Sequence, residues 1–139
     1  KYLILDEPTA NFDPDFKQDF LNVIMQFMES GKKSVIIASH ILDELDRIAD
    51  YLIYLDKGEL VYSGDIESFR DKYRIISGES YKVKLLKQED IIHVEDRKYG
   101  TKALVVNHGY SKYDGALTVT VPTLEEFMYH YSKRGESVI

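Results

Sequence analysis

The sequence predicts an α/β chain, with parallel strands and crossover helices first and a small α+β appendage after them. Three observations carry this. Tyr2-Leu3-Ile4-Leu5 and Ser34-Val35-Ile36-Ile37-Ala38 are short apolar runs of the kind found in strands buried on both faces of a parallel sheet. An amphipathic helical stretch separates them, which is the order of a right-handed crossover unit. From about Ser77 onward the pattern changes to short strand-like runs and one closing helix.

The first strand ends in Asp6-Glu7-Pro8. Asp13-Pro14 then reads as a helix start, with Asp as the cap and Pro at the first helical position. Phe16, Phe20, Val23 and Phe27 follow at spacings of 4, 3 and 4, predicting one apolar stripe, and Gly31 closes the helix. The second strand ends at Ser39-His40, so both strands carry polar residues at their carboxyl ends, where open α/β sheets bind ligands. A helix is expected through Leu42, Leu45, Ile48 and Ala49. Strands Tyr51–Leu55 and Leu60–Tyr62 come next, joined by the turn Asp56-Lys57-Gly58-Glu59. Asp65 caps a helix whose apolar face is Ile66, Phe69 and Tyr73. Strands are then expected at Tyr81–Leu86, His93–Asp96, Ala103–Val106 and Leu117–Val121, with a turn-rich loop from His108 to Gly115. Thr123-Leu124-Glu125-Glu126 is a capping-box pattern that opens the last helix.

Composition excludes several classes. The 139 residues contain no Cys, so there is no disulfide framework, zinc knuckle or thiol chemistry, as fits a reducing compartment. Apolar runs such as Tyr51–Leu55 are far short of the roughly 20 residues of a membrane helix, and no stretch reads as a signal peptide. The net charge of −6 argues against phosphate-backbone binding, which needs clustered Lys and Arg. That charge is uneven. Residues 1–76 hold nine basic and fifteen acidic side chains, whereas residues 77–139 hold nine of each. Together with the turn signal at Ser77-Gly78, this predicts a boundary between a first domain, 1–76, and a second, 77–139.

Two places carry residues suited to chemistry. Asp6 and Glu7 are adjacent carboxylates at a strand end, where the turning chain lets both reach one ligand. A hard cation such as Mg²⁺ takes a carboxylate beside phosphate oxygens. Phosphoryl transfer to water also needs a group that orients the water. On their own the pair reads more readily as solvated carboxylates in a loop after a strand. His40 ends the neighbouring strand, where an imidazole reaches a terminal phosphate or simply caps the chain. His93, His108 and His130 have no ligand-type spacing and are assigned no role. Tyr110, Tyr113, Tyr129 and Tyr131 read as half-buried packing rather than a binding surface.

Taken together, these residues form a recognisable series. Leu3-Ile4-Leu5-Asp6-Glu7-Pro8-Thr9-Ala10-Asn11-Phe12-Asp13-Pro14 closely resembles the Walker B strand and D-loop of ATP-binding cassette (ABC) ATPases. Ile36-Ile37-Ala38-Ser39-His40 resembles their switch-histidine strand, and Ala49 to Asp65 resembles the segment that follows it in transporter members. For residues 1–76 the resemblance implies the C-terminal half of a P-loop NTPase core. Asp6 matches the aspartate that helps hold Mg²⁺, and Glu7 the catalytic glutamate that polarises the attacking water. Asp13 matches the D-loop aspartate, which communicates across paired subunits, and His40 the switch histidine at the γ-phosphate. Ser39 is placed with Asp13 among the nucleotide-binding residues. Phe12 stands where the family commonly has Leu, which keeps an apolar residue.

The implied protein is the ATP-hydrolysing subunit of a membrane transporter, using ATP and Mg²⁺. It would pair with a second ATPase subunit, as homo- or heterodimer, and with integral membrane permease subunits. It would sit at the cytoplasmic face of a bacterial membrane and bind no nucleic acid. Val121-Pro122-Thr123-Leu124-Glu125-Glu126-Phe127-Met128 is similar to the closing helix of ATPases that serve ABC-2-type exporters, which implies export. Residues 77–139 would then be a packing appendage or, alternatively, a regulatory or interaction module. A soluble ABC-type ATPase of the translation or DNA-repair class is the other alternative. None of the eight glycines supplies the phosphate loop G-x-x-x-x-G-K-[ST], and the signature motif is also absent. With the opening at Lys1 rather than Met, this predicts a fragment that is inactive by itself.

Overall fold

Asp13 opens the first helix as the sequence predicts. In the computed structural model, which describes residues 1–43, 45–110 and 116–136, its Oδ1 accepts the Phe16 N–H at 2.9 Å. Pro14 occupies the first helical turn. The chain is a mixed α/β fold in two compact units, Lys1–Ile48 and Ala49–Ile139.

The first unit contains β1 (Tyr2–Asp6), α1 (Pro14–Glu29), β2 (Ser34–Ala38) and a single turn of helix, α2 (Leu45–Ile48). β1 and β2 pair in parallel, with Asp6 opposite Ala38. Gly31 follows the helix at φ +84°, the left-handed conformation that ends a helix without a Cβ clash. Three expectations are corrected. The strands are not buried on both faces: Leu3, Leu5, Val35 and Ile37 are half-buried, while Tyr2, Ile4 and Ile36 on the other face are 82%, 73% and 57% exposed. The core face of α1 is Leu21 and Ile24, not the predicted stripe, of which Phe16 and Val23 are exposed. Phe12 instead gathers Phe16 and Phe20 edge-on, with centroids at 4.6 and 5.8 Å. The helix expected through Leu42–Ala49 contracts to Leu45–Ile48.

The second unit starts with the antiparallel hairpin β3 (Tyr51–Asp56) and β4 (Glu59–Asp65), longer than predicted at its far end. Its turn is where expected. Asp56 faces Glu59, and Lys57 and Gly58 lie at φ +50° and +79°, the double positive φ of a type I′ turn. α3 (Ile66–Lys72) is capped by Asp65, whose Oδ1 accepts the Ser68 N–H at 2.8 Å. A four-stranded antiparallel sheet follows, ordered β6-β7-β5-β8, from β5 (Tyr73–Gly78), β6 (Ile91–Arg97), β7 (Gly100–Val106) and β8 (Thr118–Thr120). Between β5 and β6 lie α4 (Ser80–Val83) and a 3₁₀ turn at Gln88–Asp90, and α5 (Leu124–Ser132) closes the unit.

Two differences from prediction concern this sheet. Tyr73 is not the end of a helical face but the first residue of β5, and a boundary at 76/77 would pass through that strand; the compact units divide after Ile48 instead. The predicted strand Tyr81–Leu86 is a helical turn. Val83 and Leu86, three apart, are buried, whereas Tyr81 and Leu85 are exposed, so burial follows the helical period rather than alternation.

The sheet is covered on both faces. Ile76, Ala103 and Val105 pack with Val83, Leu86 and Tyr110. Ile75 and Leu104, paired across β5 and β7, belong to the opposite face, and Phe127 of α5 meets Tyr73 there at a centroid distance of 4.6 Å. The capping box of α5 is complete: the Glu126 N–H donates to Thr123 Oγ1 at 3.0 Å, and the Thr123 N–H to Glu126 Oε1 at 3.2 Å. Thr123→Ala should therefore destabilise the second unit by about 1 kcal/mol, read as a lower urea midpoint with an unchanged slope.

Candidate functional site

The parallel register of β1 and β2 sets Asp6 against Ala38, so the residues just beyond both strands meet at one end of the pair. Glu7 stands at φ +47°, in the left-handed region that a side-chain-bearing residue rarely occupies. Its N–H donates to the Ala38 carbonyl at 2.7 Å, extending the ladder by one bond. The turn directs the Glu7 carboxylate onto the next two residues of the neighbouring segment. Oε1 accepts the His40 backbone N–H at 3.1 Å and lies 2.8 Å from His40 Nδ1; Oε2 accepts the Ser39 hydroxyl at 3.4 Å. Ser39 Oγ also accepts the Ile41 N–H at 2.9 Å, which fixes the bend after β2.

The electrostatics follow from these bonds. The His40 side chain beside Glu7 lowers its carboxyl below the ordinary glutamate value, against a smaller opposing effect of burial. Glu7 is thus ionised at neutral pH, and His40 Nδ1 must carry the proton it shares with Oε1. That leaves Nε2 on the far side of a well-exposed ring. A neutral His40 in this pose accepts at Nε2; it donates there only as the imidazolium or after leaving Glu7.

Of the five residues singled out from sequence, Glu7, Ser39 and His40 are brought together by direct bonds across 32 or 33 residues. Asp6 is exposed beside them at the end of β1. Asp13 is not joined to that group by these bonds, since its carboxylate caps α1. Among the described residues no three His, Cys, Asp or Glu side chains form a metal-holding group. Asp6 nevertheless fits the hard-oxygen chemistry of Mg²⁺, which characteristically takes one or two carboxylates and completes its shell with phosphates and water.

The remaining histidines are not idle. His93 of β6 and His130 of α5 are both buried, with their Nδ1 atoms 2.9 Å apart. His108 Nδ1 lies 2.6 Å from the buried Asp90, which also accepts the Tyr110 hydroxyl. Spacing could have found His130, because Leu124, Phe127 and His130 recur every three residues on the buried side of α5. Nothing local marked His93 as its partner. Tyr110 is buried and Tyr131 stacks on Phe127, in line with packing roles; Tyr113 lies outside the described residues. No helix among the described residues is long and apolar enough to cross a membrane.

No family model matches the chain. Curated relatives do. It is 41% identical over 76 residues to the energy-coupling factor transporter ATP-binding protein EcfA2 of Caldanaerobacter subterraneus, covering 54% of this chain and 27% of that one. It is 41% identical over 64 residues, 46% of this chain, to a Mycoplasma pneumoniae protein assigned as an ABC transporter ATP-binding protein, of which it covers 20%. The EcfA2 of Streptococcus pyogenes is 34% identical over 64 residues, 46% of this chain and 22% of its own length. The chain thus spans between a fifth and just over a quarter of these relatives.

Proposed function

From its homology to ATP-binding proteins of ABC transporters over about half its length, we propose that this chain supplies the water-activating part of a transporter ATPase. The supporting observation is the bond between Glu7 and His40, which ties the end of one motif strand to the end of the next. Glu7, ionised and gripped by the Ser39 hydroxyl, the His40 amide and the His40 ring, orients and polarises the attacking water. His40, as the imidazolium or once released from Glu7, donates its Nε2–H toward the terminal phosphate. Asp6 is the residue that would hold Mg²⁺, which when bound neutralises charge on the phosphate oxygens. Asp13 acts from the start of α1, through the loop it anchors, toward a second ATPase subunit.

In the working protein such a subunit sits against membrane permease subunits at the cytoplasmic face, with a second ATPase subunit beside it. The export direction rests only on the closing helix, Val121–Met128, because the permease sets direction and substrate. The four-stranded sheet from β5 onward, with α4 and α5, serves this assembly as a packing appendage.

The 139 residues lack a phosphate loop, so by themselves they should neither bind ATP tightly nor turn it over. ATP hydrolysis by the chain alone, and by the chain joined to a segment carrying G-x-x-x-x-G-K-[ST] and the signature motif, tests both halves of the proposal. Turnover should appear only in the joined protein and require Mg²⁺. Glu7-dependent turnover by the 139 residues alone would overturn the first half. A joined protein that binds ATP yet hydrolyses none would overturn the second.

A further inference from the structure

The buried pair of histidines in the second unit has no part in the function proposed above, and burial of two imidazoles side by side calls for a reason. His93 sits opposite Leu104 in the β6–β7 register, on the sheet face that α5 covers, and His130 reaches it from the last turn of α5. Their exposures are 4% and 2%, with the two Nδ1 atoms 2.9 Å apart. A bond at that distance requires one Nδ1–H and one Nδ1 lone pair, so the rings are complementary only while they share a single proton there. A first added proton can enter at the free Nε2 of the donor ring, which puts a full charge into the interior. A second can enter only at the accepting Nδ1, leaving two N–H groups face to face.

We infer that His93 and His130 form an acid-sensitive latch that holds α5 on β6 when neutral and releases it when protonated.

The charged groups around the pair give it no strong counter-ion. Glu95 of β6 is the nearest carboxylate to both rings in effect, but it is committed: Oε1 accepts the Tyr129 hydroxyl at 2.5 Å and Oε2 pairs with Arg97 at 2.7 Å. Tyr129 in turn accepts from Lys133 Nζ at 2.8 Å. Glu126 of α5 lies 3.8 Å from Lys102 of β7. Glu136 favours a charge on His93, whereas Lys133 opposes it; Glu95 and Glu126 favour a charge on His130, whereas His93 and Arg97 oppose it. Burial outweighs the carboxylates in both cases. It lowers His93 and pushes His130 from 6.5 down to about 4.

The direction follows from these values. A released or unfolded His130 titrates near its ordinary 6.5 and takes a proton that the closed form refuses until about 4. The closed form therefore has its full advantage above about pH 6.5 and loses it progressively as the pH falls toward 4. Within that window the closed-to-open ratio drops by up to about tenfold per pH unit for each proton taken up.

Amide hydrogen exchange on the full chain between pH 7 and 4.5, corrected for intrinsic rates, tests the latch. Protection of Leu124–Ser132 should fall at a higher pH than that of β5 and β7. In the double variant H93L/H130L the α5 amides should stay protected over the same range. Simultaneous loss in helix and sheet, or a double variant as acid-labile as the parent, would overturn the inference. If the double variant fails to fold, His130→Gln keeps an amide to pair with His93 but cannot charge. Its α5 opening should move to lower pH, and an unmoved opening would equally refute the latch.

Discussion

Phe127→Ala should destabilise the second unit by about 3–5 kcal/mol and leave the first unit's β1–β2 pair unchanged. Phe127 is 1% exposed and is the ring on which the aromatic core of this unit converges. Its centroid lies 4.6 Å from Tyr73 at the start of β5, 4.8 Å from Phe69 of α3, 5.5 Å from Tyr54 of β3 and 5.2 Å from Tyr131 one turn along its own helix. Truncation removes the ring and leaves a cavity bounded by four elements, each held by its own hydrogen bonds, so collapse is limited and the cost stays near the top of the range. Arg134, which pairs with Asp56 at 2.5 Å and lies 4.2 Å above the Tyr131 ring, keeps the end of α5 over the hairpin but cannot refill the hole. Domains of this size hold about 5–15 kcal/mol in total, so the loss is a large fraction of what exists. A urea titration followed by near-ultraviolet dichroism of the tyrosines should show the midpoint falling with little change in slope. Phe127→Leu, which keeps most of the volume, should cost well under half as much. Equal losses in the two variants would mean that the cavity is not the cause.

How far the sequence spoke depends on how local each signal was. Asp13-Pro14, Lys57-Gly58, Asp65 and the Thr123–Glu126 box were all legible, because a cap or a type I′ turn is decided within four residues. Failures came where a local pattern fits two periods. Ile66, Phe69 and Tyr73 run on at helical spacing, yet Tyr73 already belongs to a strand, because its ring is needed under Phe127. Tyr81, Val83 and Leu85 alternate like a strand, but only Val83 points inward, and it is joined there by Leu86 one helical turn on. The boundary expected after residue 76 rests on net charge, which is a surface property, whereas β5 spans that position and is fixed by its pairing to both β7 and β8. The site divides in the same way. The residue types of Asp6, Glu7, Ser39 and His40 were visible from motif order. The bond between Glu7 and His40 was not, since it depends on register across 33 residues and on the positive φ of Glu7.

Glu7→Gln, in a protein that also carries the phosphate loop and signature motif, should lower kcat for ATP hydrolysis by about 10²–10⁴-fold while ATP still binds. The substitution is nearly silent in structure. The amide oxygen can accept the two His40 donors that Oε1 accepts now, and the Ser39 hydroxyl can rotate to accept from the amide where it presently donates. On the role proposed for Glu7, what disappears is the negative charge that would face the water, and a neutral amide would neither polarise that water nor take its proton. His40→Ala makes the complementary cut. It removes the ring that lowers the Glu7 carboxyl, so the Glu7 pKa should rise toward the ordinary glutamate value. The carboxylate keeps the backbone N–H of residue 40 and the Ser39 hydroxyl but loses the ring, the shortest of its three bonds to the segment after β2. Activity should fall through misplacement of Glu7 and loss of the Nε2 contact, and the acid limb of kcat should move to higher pH. In the parent that limb should lie lower than an ordinary glutamate would place it, because the lowered carboxyl stays ionised there. A parent and a His40→Ala variant with the same acid limb would show that the His40 bond does not tune Glu7. A Glu7→Gln enzyme within threefold of the parent kcat would remove Glu7 from the chemistry altogether.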